Sequence, residues 1–179
     1  MKRPDPEDRA LVVLLPEALA QRIDRWRARF DPNYGIVPAH ITVAYPPFVP
    51  DEEWATVGPT LLRCLGQVCP FDIRLSGTGT FRSDYQILWL RLEDGRPLRA
   101  AHRLLKQCVP DYMVDRPYAY RPHLTVGAFT TETDLRSAQR LVRSELGEMR
   151  FSVQEFVYLA PDSIGTWCEC SRLPLGHTC

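Results

Sequence analysis

The sequence predicts an α+β fold made of two similar halves. Two pseudo-symmetric lobes, each an antiparallel-rich sheet flanked by helices, would face one another across a central cleft. Three observations predict it: the order strand, helix, strand, helix, strand occurs twice, a His-x-Thr-hydrophobic phrase occupies the third element of each copy, and equivalent points of the copies are offset by similar distances. A duplicated unit of this kind packs most naturally about a pseudo-two-fold axis.

The first copy extends from about residue 10 to residue 81. Its predicted elements are a strand at 10–15, a helix at 16–30, a strand at 40–45, a helix at 51–65 and a strand at 71–81. Apolar residues at helical spacing define the first helix, and β-branched residues in alternation define the strand at 40–45. Pro59 lies inside the second helix, where a kink or a restart is expected because proline lacks the N–H that an interior turn uses.

The second copy extends from about residue 86 to residue 175. Its predicted elements are a strand at 86–92, a helix at 96–109, a strand at 123–129, a helix at 130–147, one strand at 151–160 and a further strand at 166–175. The helix at 130–147 opens with a Thr-x-x-Asp pattern close to a capping box and closes at a glycine.

Equivalent positions support the alignment of the copies. His40 and His123 are 83 residues apart, and Phe71 and Phe151, which open the strand after the second helix of each copy, are 80 apart. The chain of 179 residues, 45% of them hydrophobic, is long enough for one domain with its own core. We therefore expect a single domain, residues 1–179, made of the two repeats.

Composition limits the classes of function. Acidic and basic residues balance at a formal net charge of zero, so no global field would hold long nucleic acids, although a local cationic site can exist. The twenty Arg against two Lys are most simply a compositional bias. No run approaches the ~20 apolar residues of a membrane span, and the N-terminal segment lacks the pattern of a secretion signal. These features predict a cytoplasmic protein without a membrane partner.

The six cysteines are candidates for disulfide partners or metal ligands. Cys64, Cys69 and Cys108 are isolated in apolar surroundings, which is typical of reduced core cysteines. At the C-terminus, four residues have side chains of the zinc-binding type: Cys168, Cys170, His177 and Cys179. Their spacing lacks the usual CxxC knuckle, and on a strand the first two simply share a face, so no metal is expected.

The repeated phrase separates polar from apolar side chains. Successive side chains of a strand point to opposite faces, so His40 and Thr42 share one face while Ile41 and Val43 share the other. In the second copy, His123 and Thr125 share one face of their strand in the same way. If the lobes face each other, two imidazoles and two hydroxyls converge on one cleft.

Two imidazoles suit acid–base catalysis near neutral pH, because a pKa near 6.5 allows one ring to be neutral while the other is protonated. Threonine hydroxyls two residues away can donate hydrogen bonds to phosphate oxygens and stabilise developing charge. The set suits phosphodiester cleavage, in which one oxygen loses a proton and another gains one. A single His-x-Thr on a strand is a common chance occurrence. The functional interpretation depends on the two copies having equivalent positions.

With His40-Ile41-Thr42-Val43 and His123-Leu124-Thr125-Val126, the chain resembles the 2H phosphoesterase superfamily, and within it the branch of bacterial 2′-5′ RNA ligases and cyclic phosphodiesterases. The resemblance covers nearly the whole chain. It implies the bilobal duplicated fold, catalysis without a metal or another cofactor, and action on 2′,3′-cyclic phosphates or 2′-5′ linkages of nucleotides or RNA ends. It implies that His40 and His123 are the acid–base pair and that Thr42 and Thr125 bind the phosphate. A monomer is expected.

Other residues are weaker candidates for contacts with the substrate. They flank the two phrases or end the strand at 71–81, where family members have an aromatic residue near the cleft: Tyr45, Phe81, Arg82, Tyr118, Tyr120 and Arg121. Aromatic residues beside a strand are more often packing residues than ligands of a base. His102 lies at the edge of a helix whose core face is already supplied, so it is expected to be solvated. His177 is expected to be structural or disordered.

Two other classes of function are compatible with parts of the pattern. A module that binds RNA ends in the same cleft without chemistry is disfavoured, because a decayed site would be expected to lack at least one of the four residues. A small zinc protein built on the C-terminal cysteines is the third hypothesis. The sequence leaves open the substrate, the direction of reaction, and which histidine is the base.

Overall fold

The structure, a computed structural model, describes residues 7–82 and 85–176. The strands of this part of the chain are β1 (Ala10–Leu14), β2 (His40–Ala44), β3 (Phe71–Arg82), β4 (Gln86–Leu92), β5 (His123–Phe129), β6 (Met149–Val153), β7 (Glu155–Pro161) and β8 (Trp167–Pro174). The α-helices are α1 (Glu17–Phe30), α2 (Asp51–Leu65), α3 (Arg96–Cys108) and α4 (Glu132–Glu145), and a short 3-10 helix spans Pro110–Tyr112.

The strands form one antiparallel sheet in the order β6-β3-β4-β5-β2-β1-β7-β8. The predicted α+β class and antiparallel pairing are confirmed. The strands that carry the repeated phrase, β2 and β5, lie next to each other at the centre of the sheet. They join its two halves through the pairing of Ile41 with Leu124.

Each half of the sheet combines strands from both halves of the sequence. β3, the last strand of the first copy, pairs with β4 and β6, whereas β7 from the second copy pairs with β1 and β8. The segment 151–160, predicted as one strand, is therefore divided at Gln154 between β6 and β7, which belong to opposite halves of the sheet. The sequence does not reveal this change, because side-chain periodicity carries no information about a strand's partner.

The helices cross over as well, since α1 packs against β5 and α3 against β2. Gly127 in β5 permits the first of these contacts. A Cβ at this position would lie 2.7 Å from the Cβ of Phe30, closer than side-chain carbons approach. The HxT strand of each copy is thus supported by the first helix of the other copy.

The helix predictions are largely confirmed. Thr131 precedes α4, and its Oγ1 accepts a 3.1 Å hydrogen bond from the backbone N–H of Asp134, as the capping pattern predicts. α2 continues through Pro59 from Asp51 to Leu65, so a restart at Pro59 is wrong. The hydrogen bonds of the neighbouring turns and the packing of α2 are sufficient to maintain the helix there.

The prediction of reduced core cysteines is wrong. Cys64 on α2 and Cys108 at the end of α3 form a disulfide, with Cα atoms 6.5 Å apart and a sequence separation of 44. Cys69 is disulfide-bonded as well. The apolar surroundings predict burial correctly for Cys64, whereas Cys108 is only partly buried and Cys69 is exposed. They do not indicate that two helices distant in sequence pack side by side.

Cys168 and Cys170 are free and exposed on β8. Residues 7–82 and 85–176 contain no group of three or more His, Cys, Asp or Glu side chains arranged for a metal ion. His177 and Cys179, the other two members of the zinc hypothesis, lie outside the described residues. Among the described helices, none has both the length and the apolar character required to cross a bilayer.

Candidate active site

The repeated phrase places its polar residues on one face of the sheet. Ile41 and Val43 are fully buried on the opposite face, as are Leu124 and Val126. Because Ile41 pairs with Leu124 in antiparallel register, His40 lies across from Thr125, and Thr42 lies across from His123. A cavity of about 1140 Å³ is lined by all four polar residues, His40, Thr42, His123 and Thr125.

Both imidazoles are oriented in the same way. His40 Nδ1 lies 2.8 Å from the backbone carbonyl of Pro38, and His123 Nδ1 lies 2.7 Å from that of Arg121, two residues upstream in each case. A carbonyl only accepts, so each Nδ1 bears a proton and the Nε2 of a neutral ring is left as the acceptor. His40 Nε2 is 3.2 Å from Thr42 Oγ1. The backbone thus prepares both rings to exchange a proton through Nε2.

The segment that orients His40 is held by a buried arginine. Arg27 of α1 is 3% exposed, and its Nη2 donates a 2.6 Å hydrogen bond to the carbonyl of Val37, next to Pro38. Two carboxylates neutralise it, Asp24 and Asp31, each at 2.9 Å. Arg27 also lines the cavity. Its position on the helix resembles that of any solvated arginine, so the sequence alone does not identify it as a residue of the site.

Aromatic rings surround His123. The rings of His123 and Phe81 meet edge to face, with centroids 4.8 Å apart and planes at 84°, and the centroid of the Trp89 ring lies 5.8 Å from that of His123. Phe81 and Trp89 also stack on each other at 4.9 Å. Trp89 fits there because residue 79 is a glycine: a Cβ on Gly79 would lie 2.2 Å from the indole. The sequence predicts Phe81 near the cleft, whereas it identifies Trp89 only as part of a strand.

Burial lowers the pKa of both histidines below the usual value. For His40, desolvation is the largest effect; the Pro38 carbonyl opposes it, while the charges of Arg27 and His123 add to it. For His123, desolvation again dominates; the carbonyl of Arg121 opposes it and the guanidinium of the same residue adds to it. Both rings therefore favour the neutral form in the free protein, in which Nε2 is available as a base.

The predicted substrate contacts all line the same cavity: Tyr45, Phe81, Arg82, Tyr118, Tyr120 and Arg121. Their other partners differ. The guanidinium of Arg121 lies 5.9 Å over the ring of Trp89, and that of Arg82 forms a 3.2 Å ion pair with Glu132. Tyr118 is 60% exposed.

Tyr45 and Tyr120 meet edge to face, with ring centroids 6.1 Å apart. The Tyr120 hydroxyl donates a 2.7 Å hydrogen bond to the backbone carbonyl of Thr42, so this side chain is engaged with β2. Burial raises the pKa of Tyr120, which keeps the phenol protonated as a donor.

The expectation that His102 is solvated is wrong. Its ring stacks on Tyr120, with centroids 4.0 Å apart and planes 7° from parallel. Its Nδ1 donates a 2.7 Å hydrogen bond to the carbonyl of Val43. Burial lowers the pKa of this imidazole. The helical pattern identified the core face of α3 correctly, but it could not indicate that β2 and Tyr120 cover the neighbouring face.

Arg99 is a second cavity residue that sequence reasoning missed. It begins a line of basic and polar residues along one face of α3, at spacings of three and four: Arg99, His102, Arg103 and Lys106. This face lies beside the apolar one formed by Leu98, Ala101 and Leu105, which are buried. The spacing was available in the sequence, but nothing there indicated that this face borders the cleft.

Comparison with known proteins gives a consistent family assignment. Residues 15–163 match the family model described as the 2'-5' RNA ligase superfamily. A Bacillus cereus protein named "Putative phosphoesterase" is 26% identical over 168 residues, which cover 92% of this chain and 95% of that protein. A Bacillus pumilus protein of the same name is also 26% identical over 168 residues, covering 93% and 96% of the two chains.

Solved structures share the fold. E. coli LigT, solved in complex with 3'-AMP, superposes on this chain with a TM-score of 0.68 at 19% identity. The superposition covers 96% of this chain and 99% of the LigT chain. The Thermus thermophilus protein TT0787 gives a TM-score of 0.66 at 16% identity, with 96% and 100% of the chains covered. At these identities the likeness establishes the fold alone.

Proposed function

Because this chain belongs to the 2'-5' RNA ligase superfamily, we propose that its phosphoesterase-type activity is directed at 2′,3′-cyclic phosphates or related 2′-5′ phosphodiesters of nucleotides or RNA ends. One observation carries the proposal: two imidazoles in one cavity each bond a backbone carbonyl through Nδ1, and each has a threonine two residues along the strand. His40 and His123 are the proposed acid–base pair, and Thr42 and Thr125 the proposed phosphate ligands.

In the proposed hydrolysis, the phosphate lies between the two threonine hydroxyls, which donate hydrogen bonds to its non-bridging oxygens. One imidazole, neutral at Nε2, takes a proton from the attacking water as the new phosphorus–oxygen bond forms. The other, protonated at Nε2, gives its proton to the departing ribose oxygen as the old bond breaks. Each histidine ends in the state in which the other began, and exchange with solvent restores both.

This mechanism uses no metal ion, because the charge that develops on the phosphate is met by hydroxyl donors and by the imidazolium. The same groups can catalyse transfer to a ribose 5′-hydroxyl in place of water: this hydroxyl gives its proton to the base and attacks the cyclic phosphate, the bond from phosphorus to the 3′ oxygen breaks, the acid protonates that oxygen, and a 2′-5′ linkage forms. Phe81, Tyr45 and Tyr118 line the cavity and offer aromatic faces or edges to a nucleobase. The E. coli LigT complexes with 3'-AMP and with ATP support a nucleotide as the ligand of this cavity as well.

The test is a panel of 2′,3′-cyclic nucleotides and a 2′-5′ linked dinucleotide, assayed with a chelator present. We expect turnover by the parent protein and a loss of about 10³-fold in kcat for His40→Ala and for His123→Ala, the scale of a missing acid or base. Gln107→Ala, an exposed position of α3 outside the cavity lining, is the matched control and should retain the parental rate.

Parental rates in both histidine variants would overturn the assigned roles. A loss of turnover on adding the chelator would contradict catalysis without a metal. If the parent protein binds RNA ends tightly and turns over none of the panel, the alternative of a non-catalytic RNA-end-binding module is favoured instead.

A further inference from the structure

We propose that a second cavity, beside the cleft, binds a second phosphate group of the substrate, one that does not react. This side groove has a volume of about 360 Å³ and lies between α3 and the segment 113–120. The proposal rests on the proposed function, since it assumes that the reacting phosphate lies between the two histidines.

The side groove and the cleft are continuous. Both are lined by Tyr45, Arg99, Tyr118, Ala119 and Tyr120. A ligand whose reacting phosphate contacts the histidines can therefore extend past Arg99 and the tyrosines into the groove. The side groove is a continuation of the candidate active site rather than an isolated depression.

Its charge is strongly positive. Arg99, Arg103 and Lys106 follow one another along a single face of α3, and Arg116 lies on the opposite wall. Lys106 pairs with Asp115, and these two charges cancel. In the part of the chain that the structure describes, no carboxylate forms a hydrogen bond or ion pair with Arg99, Arg103 or Arg116, although the charge of Asp94 acts on Arg99 from a longer distance. Three guanidinium groups thus line the groove in a chain whose formal net charge is zero.

The chemistry of these groups favours a phosphate. The planar guanidinium fork binds two oxygens of a phosphate at once, and its charge persists at every physiological pH. Arg116 is already oriented: its Nη2 donates a 2.7 Å hydrogen bond to the carbonyl of Pro46, and its guanidinium lies 5.5 Å over the ring of Tyr45. These contacts reduce the side-chain entropy that ligand binding would otherwise remove.

His102 also lines the side groove, but burial favours its neutral form, so the positive charge comes from the arginines. Its Nδ1 is bound to Val43, and its ring is covered on one face by Tyr120. The solvated arginines of an ordinary helix surface lie on one element only. Here α3 and the segment before β5 direct guanidinium groups towards the same cavity, which is the arrangement of a binding site for an anion.

Two kinds of substrate carry such a phosphate: an RNA strand, through the linkage next to its terminal cyclic phosphate, and a mononucleotide, through a 5′-phosphate. The experiment therefore compares three substrates: adenosine 2′,3′-cyclic phosphate, the same compound with a 5′-phosphate, and a dinucleotide ending in a 2′,3′-cyclic phosphate. We expect kcat/KM to be at least several-fold higher when the second phosphate is present. A higher kcat/KM for one phosphorylated substrate alone identifies that substrate as the source of the second phosphate. A higher kcat/KM for both shows that the side groove accepts the phosphate from either source.

Arg103→Gln and Arg116→Gln test the assignment. Each should lower the ratio of kcat/KM between the preferred substrate and the unphosphorylated one. Each should also weaken the salt dependence of this ratio. The slope of its logarithm against the logarithm of the salt concentration should become shallower by about 0.7, the value for one phosphate contact on a single strand. Arg140→Gln, on the exposed face of α4, is the matched control and should preserve the parental ratio. An equal kcat/KM for all three substrates, or a ratio unchanged in both groove variants, would overturn the proposal that the side groove binds a second phosphate.

Binding keeps the two proposals distinguishable. The affinity of a dinucleotide ending in a 3′-phosphate is compared with that of adenosine 3′-phosphate, by equilibrium titration that needs no turnover. If no cyclic substrate is turned over, the proposed function fails, while tighter binding of the dinucleotide that is lost in Arg103→Gln still supports the groove. Equal affinity for both ligands counts against the groove whatever the catalytic result.

Discussion

The Tyr120 hydroxyl donates a 2.7 Å hydrogen bond to the backbone carbonyl of Thr42, in the strand that carries the first histidine. His102 stacks on the same tyrosine and donates its own hydrogen bond to the next carbonyl, that of Val43. α3 and the segment that precedes β5 thereby hold β2 at the two residues that follow the His40-Ile41 pair. These contacts support β2 beside β5, to which it is joined in the sheet by the pairing of Ile41 with Leu124.

Tyr120→Phe is expected to act through position rather than through direct chemistry. It leaves the carbonyl of Thr42 without its donor, which should lower the free energy of unfolding by about 1 kcal/mol. Because Thr42 is the proposed phosphate ligand, kcat should fall roughly three- to ten-fold, the equivalent of about 1 kcal/mol in the barrier. Denaturant unfolding and steady-state kinetics measure the two effects.

Tyr34→Phe is the control for this change, since Tyr34 is exposed and lies outside the cavity lining. A Tyr120→Phe protein with weaker substrate binding and unchanged kcat would show that the hydroxyl contacts the substrate directly. Such a result would restore the role that the sequence analysis considered for Tyr120.

The pH dependence of activity should be displaced to the acid side. Burial lowers the pKa of both His40 and His123, and the mechanism requires one ring to be protonated and the other neutral. As the pH rises above two lowered pKa values, both rings lose their protons and the acid is missing. The bell-shaped profile of kcat/KM, which reports the free enzyme, should therefore peak below about pH 6.5.

The optimum of kcat should lie at higher pH than that of kcat/KM, because a bound phosphate anion favours the imidazolium and raises its pKa. Both profiles come from the same initial-rate data, collected between about pH 5 and pH 8.5 at constant ionic strength, a range that brackets the ordinary pKa of histidine. An optimum of kcat/KM well above about pH 7 would contradict the lowered pKa values.

Gly79→Ala should disturb the wall behind His123. The added Cβ would overlap the indole of Trp89, which must move, and Trp89 contacts both Phe81 and His123. Overpacking of this kind costs about 1–3 kcal/mol of stability. Turnover should fall as well, since the ring of His123 loses its packing. Urea unfolding and kcat are the measurements.

Gly58→Ala provides the comparison for this variant. Gly58 lies inside α2, and an added Cβ there would come no closer than 3.9 Å to Trp54. Alanine is the better helix former, so this change should be neutral or stabilising by up to about 1 kcal/mol. Equal effects of the two substitutions would show that Trp89 relaxes freely and does not support His123.

Local pattern was sufficient for much of the fold and for the candidate site. Strand periodicity assigned the polar face of HITV and HLTV, helical spacing identified the core face of α3, and Phe81 was placed near the cleft from the resemblance to a family. The same reasoning failed where the local structure depends on a partner that is distant in sequence. The split at Gln154 and the disulfide between Cys64 and Cys108 are of this kind.

The presence of two His-x-Thr strands and the polar face of each follow from local sequence, which also predicts their equivalent places in a duplicated chain. Three features depend on the folded chain: these strands are neighbours, Arg27 holds the segment before His40, and the basic face of α3 borders the cleft. The physical reason is that side-chain periodicity depends on the local backbone alone, whereas pairing and burial depend on residues brought together by the folding of the whole chain.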